Sequence, residues 1–145
     1  MIREQKQNYG RSMKNARTHL NISTYVLEKK HALSRLQIQN IESGIANYTI
    51  DTLLDYNRAF KLFPFVNNQI AKDKTAIGKA LMNLRKEKDL SKYRVSKESG
   101  VSANTIADIE SGTTNYTIDN YLALLDFYNL EFRFKKLQPF TWHQE

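Results

Sequence analysis

The chain contains no cysteine, which excludes disulfides and thiolate metal sites. Histidine is scarce as well. His19, His31 and His143 are scattered, with no second ligand at i+3 or i+4, so no metal site is expected. No run of ~18 apolar residues exists to span a bilayer, and the opening Met1-Ile2-Arg3-Glu4-Gln5-Lys6 lacks the apolar core of an export signal. The cytoplasm is therefore the expected location. There is no glycine-rich loop of the P-loop or dinucleotide type. Ser43 and Ser111 precede glycines, but no strand leads into either, so neither sits on a nucleophile elbow. These absences predict a protein that is not an enzyme and carries no cofactor.

What is present is a basic, well-mixed composition. Hydrophobic residues make up 41% of the 145 and charged residues 26%, enough to bury a core and too apolar for a disordered tail. The net charge of +7 favours polyanionic partners, because each cation near a phosphate releases condensed counterions. Residues 1–70 hold ten Lys/Arg against five Asp/Glu, and residues 71–145 hold twelve against ten, so the first half is the more basic.

An internal repeat sets the organisation. Ile41-Glu42-Ser43-Gly44 followed by Asn47-Tyr48-Thr49-Ile50-Asp51 recurs as Ile109-Glu110-Ser111-Gly112 followed by Asn115-Tyr116-Thr117-Ile118-Asp119, 68 positions later. The same offset aligns, without a gap, Gly10 with Gly78, Arg17 with Arg85, Ser23 with Ser91, Tyr25 with Tyr93, Lys29 with Lys97, Ser34 with Ser102 and Leu54 with Leu122. The chain reads as two copies of a unit of about 60 residues.

The second copy is the clearer. Ile77, Leu81 and Leu84 recur at helical spacing and define a first helix. Ser91 caps a short second helix containing Val95, and Gly100 stops it. Ser102 caps a third helix with Ile106 and Ile109 on its inner face, closed by Gly112. Thr117 caps a last helix whose Ile118, Leu122 and Leu125 share a side. Two capped helices across a short glycine-containing turn make a helix-turn-helix signature.

With these residues in place, both units resemble the lambda-repressor-like, or xenobiotic-response-element (XRE), helix-turn-helix family. In the second unit the resemblance rests on Leu90, Ser91, Val95, Gly100, Val101, Ser102, Ile106, Ile109, Glu110, Gly112 and Leu122, and overall it covers residues 8–62 and 76–130. The first unit departs from the pattern. Ala32 stands where Gly100 makes a left-handed turn, at a cost of roughly 1 kcal/mol. Glu28 occupies a position the family gives to a small residue, and Asn57 replaces apolar Leu125. Either this copy is degraded, or it packs against something the second copy does not.

The resemblance implies that the third helix of each unit lies in the major groove. The first copy would present Arg35, Leu36, Gln37 and Asn40 to base edges, and the second Ala103, Asn104, Thr105 and Asp108. Arg suits guanine, and Gln or Asn suits adenine. The alternative is that these residues are only a solvated helix face. Phosphate contacts would come from Thr24, Lys92 and Arg94 near the second-helix caps, and from Asn47, Tyr48, Asn115 and Tyr116 in the loops before the last helices. Those loops can equally be a turn, a packed ring and an N-cap. The family places Arg and Glu at Arg17/Glu42 and Arg85/Glu110, where they form structural ion pairs joining the first and third helices.

After Leu130 the pattern alternates through Glu131, Phe132, Arg133, Phe134, Lys135, Lys136 and Leu137, the period of a strand, with Pro139 ending it. A lone strand needs a partner. Two compete: the same strand of a second chain, through Phe132 and Phe134, and the stretch Leu62–Val66, where Pro64 argues for an edge at best. The symmetric homodimer is the preferred expectation, with Phe140 and Trp142 packing over the strand. The expected fold is all-α: two tandem helix-turn-helix domains at 1–66 and 75–130, a linker at 67–74, and a C-terminal strand and tail at 131–145. The expected function is sequence-specific binding of double-stranded DNA, most simply as a repressor. The rival is a protein-interaction module, an antitoxin or inhibitor with a protein partner.

Overall fold

The structure is a computed structural model that describes residues 2–137. Phe140 and Trp142 lie outside the described residues. Four helices, α1 (Ile2–His19), α2 (Thr24–Lys30), α3 (Arg35–Ser43) and α4 (Ile50–Arg58), form the first unit. The strands β1 (Leu62–Val66) and β2 (Gln69–Ile70) follow, then α5 (Lys74–Glu87), α6 (Lys92–Ser99), α7 (Ala103–Ser111) and α8 (Ile118–Phe127), and last β3 (Phe134–Lys136).

The helix starts are written locally. Ser23, Ser34 and Thr49 cap α2, α3 and α4, and Ser91, Ser102 and Thr117 cap α6, α7 and α8, each side-chain oxygen accepting from a backbone N–H of the first turn. Asp73 does the same for α5. The α1–α3 and α5–α7 crossings are tight: a Cβ on Gly10 would stand 2.3 Å from the Ile41 carbonyl oxygen, and one on Gly78 equally close to that of Ile109. Leu27, Ile38, Ile41, Ile50 and Leu53 fill one core, and Val95, Ile106, Ile109, Ile118 and Leu122 fill its counterpart; all are essentially inaccessible and join one continuous apolar cluster.

The two units meet through matching surfaces. Thr49 and Thr117 form an antiparallel bridge. Beside it Ile50 N–H donates to the Tyr116 carbonyl at 2.8 Å, and Ile118 N–H to the Tyr48 carbonyl at 2.7 Å. Lys6 Nζ lies 2.8 Å from Asp119 and Lys74 Nζ 3.0 Å from Asp51.

The strands differ from expectation. β3 pairs with β1 of the same chain, Leu62 opposite Lys136, Phe63 opposite Lys135 and Pro64 opposite Phe134, so the three strands run in the order β2-β1-β3. This corrects the expected pairing of Phe132 and Phe134 across a homodimer, and the expected all-α fold acquires a small sheet. Pro64 stands in the central strand because, in an antiparallel ladder, a residue's N–H and C=O point the same way. Its carbonyl accepts from Ala71 just past the end of β2, so its missing donor falls outside both ladders. Residues 67–74, expected as a linker, hold a hairpin. Asn67 and Asn68 both have positive φ, 49° and 66°, as a tight two-residue turn requires.

Candidate nucleic-acid interface

The third helix of each unit is anchored by a guanidinium–carboxylate fork. Arg17 donates from Nε to Glu42 Oε2 at 2.7 Å and from Nη2 to Oε1 at 3.1 Å, while Nη1 reaches the Ile22 carbonyl. Arg85 repeats this on Glu110 at 2.7 and 2.9 Å, with Nη1 on the Leu90 carbonyl. Both pairs are largely removed from solvent, and the hydrogen bonds to the carboxylates hold both guanidinium pKa values above the ordinary range. In the first unit the Tyr56 hydroxyl also donates to Glu42, at 2.8 Å. Burial, and the neighbouring Glu42 charge, push that phenol's pKa well up. The fork ties α1 to α3 and α5 to α7, and so fixes the outward face of each third helix.

On α3, Arg35 and Leu36 are exposed, while Asn40 is half-buried. Gln37 is engaged within the protein. Its side chain accepts from Ser34 N–H in a capping box and donates to Thr52. Arg35 stands 3.9 Å from Glu28, which gives that departure from the family pattern a local partner. On α7, Ala103, Asn104 and Asp108 are exposed, and Thr105 packs its hydroxyl against the Ser102 cap. Lys92 is exposed at the start of α6, Arg94 is exposed but paired with Glu98, and Thr24 is half-buried.

In the loops before α4 and α8 the tyrosine rings turn inward and the asparagines remain exposed. Tyr48 and Tyr116 are only 6% and 4% exposed, which corrects their expected role. Asn47 Oδ1 accepts from Asp119 N–H and Asn115 Oδ1 from Asp51 N–H. Each asparagine therefore satisfies a free donor in the first turn of the other unit's last helix through its oxygen, while the residue itself stays exposed.

Residues beyond the expected set also stand on these faces. Tyr25 and Tyr93 occupy the same position of α2 and α6, at 64% and 72% exposure. Lys29 lies over the Tyr25 ring at 5.6 Å, and Lys97 is its exposed counterpart. Their identity at the 68-residue offset, at positions the core does not need, is the signal that marks them. Lys6/Lys74 and Asp51/Asp119 are identical at the same offset, and they become interpretable once the interface is seen. A concavity of about 640 Å³ between α1 and the end of α8 is lined by Gln5, Asn8, Tyr9, Asp126, Glu131 and Phe132 among others. Its two carboxylates oppose phosphate, and none of its lining residues is on α3 or α7. Among the described residues no helix is long and apolar enough to cross a membrane.

No curated protein and no solved structure matches the chain. Residues 81–135, from within α5 into β3, match the family model described as Helix-turn-helix.

Proposed function

We propose that the chain is a sequence-specific, double-stranded-DNA-binding transcriptional regulator, cytoplasmic, that acts most simply by occupying a promoter. The observation that carries this is α7 itself. It lies within the matched segment, its inner side is clamped by the Arg85–Glu110 fork, and its outer side is left free at Ala103, Asn104 and Asp108. Lys92, Tyr93 and Lys97 on α6 supply the cations and the exposed ring that a phosphate-lined groove favours. The corresponding face of α3, with Arg35, Leu36 and Asn40, is the second reader, and α1–α4 is the second helix-turn-helix domain. This reading rests on the equivalent caps, glycine crossings and ion pairs of the two units.

A protein-interaction module is the competing reading. Leu20, Tyr25, Leu36 and Ile45 are all exposed on the first unit, and the carboxylate of Asp108 stands on the second reading face. The test is selection of bound duplexes from a random pool, followed by mobility shifts of the enriched site at two salt concentrations and a pull-down. An enriched motif whose affinity falls steeply with salt is expected. No enrichment, together with a stable protein partner, would replace DNA with protein.

A further inference from the structure

Two copies of a domain in one chain can be arranged head to tail, like beads, or face to face about a two-fold axis. The contacts distinguish these. A translational arrangement uses two different surfaces, whereas a two-fold uses one surface twice, so that residue i meets j and the copy of j meets the copy of i. Every polar contact between the last-helix starts has its reciprocal at the 68-residue offset: Ile50 on Tyr116 with Ile118 on Tyr48, Asp51 on Asn115 with Asp119 on Asn47, and Lys74–Asp51 with Lys6–Asp119. A residue on such an axis must meet its own copy. Thr49 bridges Thr117, and Phe65 N–H donates to the Arg133 carbonyl at 2.9 Å; each pair is separated by the repeat offset itself. The axis thus passes through the cap bridge and the Phe65–Arg133 contact at the end of the β1–β3 ladder. α3 and α7 end six residues before the on-axis threonines, one on each side.

We infer that one chain is a complete two-fold reader: a single molecule occupies one duplex at two half-sites that are inverted relative to each other, although the repeat in the chain runs head to tail. This rests on the DNA-binding reading above. The two units already meet each other through one surface used twice, so no second chain is needed to generate the two-fold. The two-fold matches the local dyad of the duplex, and the inference takes α3 and α7 into successive major grooves, where half-site centres stand about 10 base pairs apart. Because Arg35, Leu36 and Asn40 face one half-site and Ala103, Asn104 and Asp108 the other, the natural site is inverted in frame but unequal in sequence.

Two measurements test this with the full chain. Native mass spectrometry of the complex with the duplex enriched by selection should show one 16.9 kDa chain per duplex. A variant carrying Ala103→Arg, Asn104→Leu, Thr105→Gln, Ala107→Gln and Asp108→Asn presents the same outward residues on both third helices. Its selected site should become a palindrome. Two chains per duplex, a motif with a single block, or a direct repeat from the variant would overturn the inference and leave DNA binding intact. No motif for the natural chain would overturn both. If the variant loses its helical circular dichroism, the mass and the two-block motif of the natural chain decide alone.

Discussion

The first and second four-helix units share caps, glycine crossings and the arginine–glutamate fork, yet only the second follows the helix-turn-helix pattern closely enough to match the family model. Their differences are compensated in part, since Asn57 Nδ2 stays buried without a partner. Tyr9 and Asn57 replace the buried apolar pair Ile77 and Leu125, and the Tyr9 hydroxyl donates to Asn57 Oδ1. The Tyr9 ring also takes the C-terminal segment, with the Phe132 and Phe134 rings each 5.0 Å away. Where α5 meets β1 the corresponding residues are Ile77, Pro64 and Val66. The first unit is therefore not degraded at this point. It exchanges apolar contact for a hydrogen bond while packing an aromatic cluster that reaches through Phe132 to Tyr121 of α8. Sequence divergence here records a different neighbour, not a lost fold.

The largest expected effect separates the two forks. Arg85→Ala strands Glu110 in a buried site and should cost ~3–5 kcal/mol. Arg17→Ala should cost less, because Tyr56 still donates to Glu42. Urea unfolding checks both, with Lys88→Ala as an exposed control expected to stay within about 0.5 kcal/mol. Equal small shifts for Arg85→Ala and Lys88→Ala would remove the fork from the stability of the second unit.

Next come the reading faces. Arg35→Ala should relax the preference at one base pair and weaken specific binding about tenfold to a hundredfold, the worth of a bidentate arginine–guanine contact. Lys92→Ala should instead weaken binding to all sequences alike and reduce the salt slope by about one unit. Titrations against the selected site and a scrambled duplex at several salt concentrations separate the two. An unchanged motif for Arg35→Ala would take the first unit out of base reading.

A smaller contrast lies in the turn before each third helix. Ala32 holds φ +54° where Gly100 holds +82°, and the space around Gly100 is open, so the difference is backbone strain alone. Ala32→Gly should stabilise the protein by about 1 kcal/mol, and Gly100→Ala should destabilise it by a similar amount. Paired thermal melts give both signs. A destabilised Ala32→Gly would mean that the Ala32 methyl makes contacts worth more than the strain.

A last effect is expected in alkali. Burial raises the pKa of the Tyr128 phenol to about 12, and that of Tyr56 still further. A phenol whose folded pKa is raised contributes stability that is complete below the unfolded value near 10.0 and is lost as pH rises through the folded value. Stability should therefore hold to about pH 10 and fall toward pH 12, less steeply in Tyr128→Phe. Tyrosinate absorbance followed beside circular dichroism measures it.

Local chemistry was legible in the sequence by itself. The caps Ser91, Ser102 and Thr117, the left-handed turn at Gly100, the apolar faces around Ile106 and Leu122, and the Arg85–Glu110 spacing each depend on residues a few positions apart or on one helix crossing, and the 68-residue offset doubled every such signal. The exposure of Arg35, Leu36, Ala103, Asn104 and Asp108 was legible to the same degree, since an outward position on a patterned helix follows from its inward neighbours; Gln37 and Thr105 departed because they also serve caps. Only the tertiary structure decided which surface each long-range segment would meet. The sequence allowed β3 a second chain or Leu62–Val66, and it left Asn47-Tyr48 and Asn115-Tyr116 open to phosphate or to packing. An unpaired strand edge or a free helix N-terminus specifies only hydrogen-bond donors and acceptors. Which partner satisfies them depends on where the rest of the chain brings its own, and here the two units satisfy each other.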